Sequence, residues 1–101
     1  DLNNEIILLT DLSTVYFMLN RYKESINYAL QVLELNKNSA DKLQDVICYS
    51  SIALSYKKVY DFKAAEKYYL KAIGLTNTIK DKTDRSLQLM TLHMLLGNLY
   101  N

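Results

Sequence analysis

The side chains of this 101-residue chain that could do chemistry are few and far apart. His93 is the only histidine, and Cys48 is the only cysteine. A metal or catalytic role would need partners, but the two residues are 45 positions apart, and no cluster of His, Cys or paired carboxylates in the sequence has the spacing of metal ligands. No activated nucleophile can be assembled either. It also contains no glycine-rich phosphate loop. We therefore expect no enzymatic activity, no metal and no cofactor, and we interpret both residues as packed side chains.

Three lysines form the clearest charged row in the sequence. Lys63, Lys67 and Lys71 follow each other at a spacing of four, which places them on one face of a helix. Like charges at this spacing repel each other slightly, so we expect the row to face water. A contact with an acidic partner is the alternative.

Composition limits the compartment and the partners of the chain. A formal net charge of +1 is too small to indicate nucleic acid or an acidic membrane. No apolar run reaches the roughly 18–20 residues of a membrane span, no signal peptide is visible, and a single cysteine fits a reducing compartment. We expect a cytoplasmic protein that contacts neither membrane nor nucleic acid directly. Because the chain opens at Asp1 without Met and stops inside a helical pattern, we interpret it as a fragment of a longer protein.

The elements that carry these residues are helices. Half of the residues are apolar, proline is absent and only two glycines occur, which favours an all-α chain. Periodicity predicts five helices, over residues 3–19, 22–35, 41–59 and 62–75 and from 84 onward. Asn20 suits a left-handed turn, Asp41 with Gln44 has the form of a capping box, and Asp61 can cap the fourth helix.

The fourth helix has a face lined by small residues. Ala65, Tyr69 and Ala72 recur at spacings of four and three, so they lie on one side of the helix. Small side chains let a second helix approach closely. We therefore expect Ala65 and Ala72 to be buried between helices.

The pattern of large and small residues repeats at an offset of 40 residues. The offset aligns Leu9, Leu12, Ser13 and Tyr16 with Tyr49, Ile52, Ala53 and Tyr56, and Ser25, Ala29 and Val32 with Ala65, Tyr69 and Ala72. His93, Leu96, Gly97 and Tyr100 match the front half once more. Tyr16, Tyr56 and Tyr100 share one repeating position, which indicates a structural role.

This pattern resembles the tetratricopeptide repeat, in which W-x-x-L-G-x-x-Y is followed by A-x-x-x-F and a proline. The resemblance implies a single domain over 1–101, a right-handed solenoid of antiparallel hairpins with five helices. Its units would span 5–38, 41–78 and, as a half repeat, 82–101. The closing proline is absent, since Lys37 and Asn77 take its place. The longer period is similar to the repeats of kinesin light chain and of bacterial peptide-pheromone regulators.

The resemblance also implies a binding surface, because the first helix of each hairpin lines the concave face of such a stack. We expect a peptide or protein segment to bind there. The clamp that holds a C-terminal carboxylate in chaperone-binding members is not matched, since Thr10 and Thr14 occupy its first positions. The implied site residues are Ile7, Thr10, Thr14, Phe17 and Met18; Ile47, Ser50, Leu54, Lys57 and Lys58; and Met94, Asn98 and Asn101.

Three functions fit this surface. The first, which we favour, is the peptide-sensing part of a bacterial cytoplasmic regulator, because the repeat period is long and the composition is rich in Asn, Lys, Ile and Tyr. The second is a generic assembly scaffold. The third is a structural spacer that associates with itself through its open ends, where the apolar face of the fifth helix would be exposed. That face carries Leu92, Leu95, Leu96 and Leu99.

Overall fold

The computed structural model describes residues 1–79 and forms four α-helices, with no strand in that part of the chain. Helix α1 spans Leu2–Met18, α2 spans Tyr22–Leu35, α3 spans Leu43–Lys58 and α4 spans Phe62–Thr76. Helices α1 and α2 form one hairpin, α3 and α4 form a second, and α2 packs against α3. The predicted fifth helix and half repeat lie outside the described residues.

The two hairpins close with the same turn. Asn20 adopts a left-handed conformation with φ of 62°, and the Arg21 amide donates to the Tyr16 carbonyl over 2.9 Å. This is the Schellman arrangement that ends many helices. In the second hairpin Tyr60 has φ of 66°, and the Asp61 amide donates to Tyr56 over 2.9 Å. The turn predicted at Asn20 is therefore confirmed.

One of the two predicted helix caps is correct. The Asp61 carboxylate accepts the Ala64 amide at 3.2 Å and caps α4. The capping box at Asp41 is wrong, because α3 begins only at Leu43 and the Gln44 amide donates to the Thr10 hydroxyl of α1 and to the Cys48 sulfur.

A buried amide in the linker explains the later start of α3. The Asn36 side chain donates to the Asp41 carbonyl at 3.2 Å and to the Asp45 carboxylate at 2.9 Å. These bonds hold residue 41 ahead of the helix, and the Asp41 carboxylate accepts the Leu43 amide instead. Hydrogen bonds from Asn36 to residues five and nine positions further along the chain have therefore overridden the capping signal of Asp41 and Gln44.

The small face of α4 is at the centre of the core. Ala65, Tyr69 and Ala72 are fully buried and cluster with Val46 and Ala53 of α3. The predicted burial of both alanines is thus confirmed. Because its phenolate would lose water on burial, the pKa of Tyr69 is raised.

The first hairpin brings its helices together through two serines where the second has Ala53 and Ala65. The Ser13 hydroxyl donates to the Ser25 carbonyl at 2.8 Å, and the Ser25 hydroxyl donates to the Ser13 carbonyl at 2.7 Å. Both serines are buried. Their small size permits the close approach, and the reciprocal bonds satisfy both hydroxyls.

Stacked tyrosines join the helices of each hairpin on another side. Tyr16 stacks on Tyr28 with ring centroids 5.4 Å apart, and Tyr56 stacks on Tyr68 at 5.7 Å. Tyr56 and Tyr68 follow Tyr16 and Tyr28 by 40 residues, which is the repeat spacing. Tyr16 and Tyr56 were predicted to be structural, but the sequence did not indicate the rings on which they stack. Tyr100 lies outside the described residues.

The predicted lysine row faces water. Lys63, Lys67 and Lys71 are all exposed. The Lys71 ammonium lies 5.4 Å from the Tyr68 ring centroid, within the range of a cation–π contact.

Candidate binding groove

The floor of the predicted groove lies between α1 and α3. The Gln44 amide of α3 reaches across to the Thr10 hydroxyl of α1 at 3.5 Å. Beyond this contact, toward the C-terminal ends of both helices, α1 and α3 leave space. One cavity of about 140 Å³ is lined by Ser13, Thr14, Phe17, Ser25, Ser51 and Leu54. A smaller one of about 60 Å³ is lined by Thr10, Ser13, Thr14, Ala29, Val32, Ile47, Cys48 and Ser51.

A third depression continues this surface toward the end of α3. Its volume is about 280 Å³, and it lies where α3 turns into α4. Leu54 lines both this depression and the larger cavity, so it connects the two. The other lining residues are Lys57, Lys58, Tyr60 and Phe62.

The structure brings seven of the predicted site residues together along these hollows and leaves others apart. The seven are Thr10, Thr14, Phe17, Ile47, Leu54, Lys57 and Lys58. Met18 is exposed on α1, and Ser50 is half-buried on α3, but neither lines these three hollows. Met94, Asn98 and Asn101 lie outside the described residues.

Two predicted hydroxyl groups are already engaged by the fold. The Thr14 hydroxyl donates to the Thr10 carbonyl at 3.0 Å, and the Ser50 hydroxyl donates to the Val46 carbonyl at 2.9 Å. The hydroxyl of Ser51, which the sequence analysis missed, is exposed and makes no hydrogen bond with the residues described here. Because Ser51 lines both cavities, it is the better-placed donor for a ligand.

Two aromatic residues at the turn were also missed. Tyr60 and Phe62 pack edge to face, with centroids 6.2 Å apart, and both are exposed. The repeat pattern could not find them, because it assigns the concave face only to the first helix of each hairpin. The signal that could have found them is an aromatic residue at a turn position where the other hairpin has Asn20.

Cys48 lies beneath the smaller cavity as a buried thiol. Burial raises its pKa to about 11, against a hydrogen bond from Gln44 that lowers it. The thiol therefore stays protonated and unreactive near neutral pH. Among residues 1–79, no group of three or more His, Cys, Asp or Glu side chains could hold a metal ion. His93 lies outside that range.

None of the helices within residues 1–79 is both long enough and apolar enough to cross a bilayer.

Two hairpins that share their turn, their small contact face and their tyrosine pair define a helical repeat protein with a groove between its first helices. Comparison with known families identifies the repeat. One tetratricopeptide repeat profile matches residues 8–39, and a second matches residues 47–78, so together they cover more than half of the chain. The chain belongs to the tetratricopeptide repeat family, whose members are generally non-enzymatic protein-interaction modules. Searches among curated proteins and solved structures returned no match.

Proposed function

We propose that this protein binds a peptide or protein segment in the groove between α1 and α3. The observation that supports this is the row of three hollows along these helices, two of which share Leu54. The hollows have apolar walls and polar edges. Binding sites for peptides combine apolar pockets for anchors with a few polar groups that hold the backbone.

The groove has residues for each part of such an interaction. Phe17 and Leu54 are half-buried and offer apolar contact, and Ile47 is exposed at the second cavity. Ser51 has a hydroxyl for a backbone carbonyl, while Lys57 and Lys58 favour a ligand with an acidic residue. Buried apolar anchors dominate the affinity of most interfaces, so Leu54 should contribute most.

The finer proposal is that the repeats belong to the long-period type and continue as a right-handed solenoid. In that case we favour a peptide-sensing part of a bacterial cytoplasmic regulator, with Met94 and Asn98 on the same concave face. A generic assembly scaffold is the alternative. A helix-turn-helix segment upstream in the parent protein would favour the regulator, whereas flanking enzymatic or motor segments would favour the scaffold.

The experiment is a peptide-array screen with the full-length parent protein. Leu54→Asp should abolish binding to the selected peptides, because it places a charge in the apolar centre of the groove. Ile47→Asp is the second variant, since this side chain is 41% exposed and its replacement should not disturb folding. Both variants are compared with the parent by circular dichroism and thermal melting.

The matched control is Lys67→Asp, which introduces the same side chain on the exposed face of α4. It should leave binding unchanged. If Lys67→Asp loses the peptides while Leu54→Asp and Ile47→Asp retain them, the partner uses the opposite face and the groove proposal is wrong.

The spacer that associates with itself is a second candidate, and one observation favours it. Leu8 and Val15 are exposed on α1, and Leu19 is exposed at the C-cap of that helix. At the offset of 40 residues, Leu8 and Val15 align with Cys48 and Ser55, which are buried on α3, the helix against which α2 packs. Leu19 aligns with Val59, which is itself 50% exposed. The part of the α1 face that carries Leu8 and Val15 therefore matches a face that another helix covers.

A further inference from the structure

The turn between α3 and α4 contains a residue that the fold alone does not explain. Tyr60 has φ of 66°, a conformation that bulky side chains rarely adopt because Cβ approaches the following carbonyl. At the matching turn the first hairpin has Asn20 with φ of 62°, and Asn tolerates this conformation far better. Tyr60 is therefore strained at a position where Asn, the residue at the matching turn, would be less strained.

The Tyr60 ring buries little apolar surface on folding, so burial does not offset the backbone strain. It is 80% exposed, and within residues 1–79 its one ring contact is with Phe62. A side chain that stays in water contributes little apolar burial to offset backbone strain. Strained residues of this kind cluster at sites where function uses them.

The second turn lacks an aromatic contact that the first turn has, and this leaves space beside Tyr60. In the first hairpin Phe17 packs on Tyr22, with centroids 5.3 Å apart and the rings at 70°. Lys57 replaces Phe17 at the matching position of the second hairpin, so Phe62 has no ring to meet on α3. The depression of about 280 Å³ lies at this place.

The depression combines positive charge with apolar walls. Lys57 and Lys58 line it, and neither forms a salt bridge with any residue of the described range 1–79. Asp61, the acidic residue nearest to them in sequence, is engaged in capping α4. An incoming carboxylate would therefore meet two lysines that form no salt bridge with any acidic residue of the described range.

We propose that this turn subsite, formed by Leu54, Lys57, Lys58, Tyr60 and Phe62, binds an Asp or Glu side chain of the segment in the groove and an apolar residue beside it. The inference rests on the proposed function, because Leu54 joins the subsite to the larger cavity. The lysines pair with the carboxylate. The apolar neighbour packs on Leu54 and Phe62, and the exposed Tyr60 ring covers it.

The test uses two amidated peptides, acetyl-Gly-Leu-Glu-Glu-Leu-Gly-amide and its analogue with Gln in place of both Glu residues. Each is titrated into the isotope-labelled chain, and amide chemical shifts are followed. The Glu peptide should bind about tenfold more tightly at low salt, with shifts centred on the turn subsite. A third arm uses the Gln peptide with a free C-terminus. If that peptide binds as well as the Glu peptide, a terminal carboxylate is the ligand and the proposal is overturned.

Substitution of Tyr60 separates binding from folding. Tyr60→Asn restores the residue of the first turn, so it should raise the melting temperature while weakening the Glu peptide about tenfold. Tyr60→Phe keeps the ring and should change neither property. Lys58→Gln should reduce the preference for Glu over Gln, and Lys57→Gln combined with Lys58→Gln should remove it. Lys67→Gln, the control for a single lost charge on α4, should retain it. A Tyr60→Asn variant that melts lower, or that binds the Glu peptide unchanged, overturns the proposal.

The outcomes also distinguish this subsite from the groove as a whole. If Leu54→Asp loses the array-selected peptides but Tyr60→Asn retains them, the groove proposal stands and the subsite is wrong. If Leu54→Asp and Ile47→Asp retain them, the groove proposal itself fails.

Discussion

At the scale of single residues, the size of one side chain decides how closely two helices pack. Ala65 is fully buried at the contact between α3 and α4, so Ala65→Leu should overpack it and lower the free energy of unfolding by roughly 1–3 kcal/mol. Lys67→Leu, two residues away on the exposed face, should cost far less. Thermal or urea melts compare the two variants. Equal losses would remove the physical basis of the packing pattern.

The buried thiol of Cys48 makes stability depend on alkaline pH. Its pKa is about 11 in the fold against an ordinary value of 9.0, because burial disfavours the thiolate. The resulting stabilisation is fully present below pH 9.0 and is lost as the pH rises toward 11. Cys48→Ala should therefore lose stability less steeply over this interval. Burial also raises the pKa of Tyr49, Tyr56 and Tyr69, but both proteins share these groups. Parallel melting curves against pH would contradict the prediction.

At the scale of helices, the two hairpins solve one packing problem with different chemistry. Ser13→Ala and Ser25→Ala should each lower stability by about 1 kcal/mol, the usual net value of a hydrogen bond. The double variant should still fold, because it recreates the alanine pair of the second hairpin. Ser13→Leu is the contrasting variant and should be much more destabilising, since the site is buried. A double variant that fails to fold would show that the serine bonds, and not residue size, hold the hairpin.

The helix positions were predictable because their signals lie within short stretches of sequence. The spacing of small residues predicted the burial of Ala65, and the residue type of Asn20 predicted a left-handed turn. The start of α3 was not predictable, since the hydrogen bond from Asn36 in the linker to Asp45, nine positions further along the chain, determines it. The same division applies to the site. Positions such as Leu54 follow from the repeat register, whereas Tyr60 lies at a strained turn that the repeat pattern does not describe.

At the scale of the whole molecule, an exposed apolar face on α1 predicts association between copies. The face carries Leu8, Val15 and Leu19, exposed by 59%, 49% and 59%. Contiguous apolar patches of this kind are uncommon on monomers and mark sites of contact. Sedimentation should therefore show a mass that rises with concentration, and Leu8→Glu with Val15→Glu should reduce the rise while leaving the melting temperature nearly unchanged.

The variant matched to these α1 substitutions is Leu95→Glu. Leu95 belongs to the apolar face of the predicted fifth helix, at the opposite end of the chain. If copies stack end to end, either substitution should weaken the same association, because each removes one of the two surfaces that meet. If only the α1 variant acts, the contact is between like faces and closes as a dimer. A chain that remains monomeric at high concentration would contradict association through either end, and the spacer function would then be excluded.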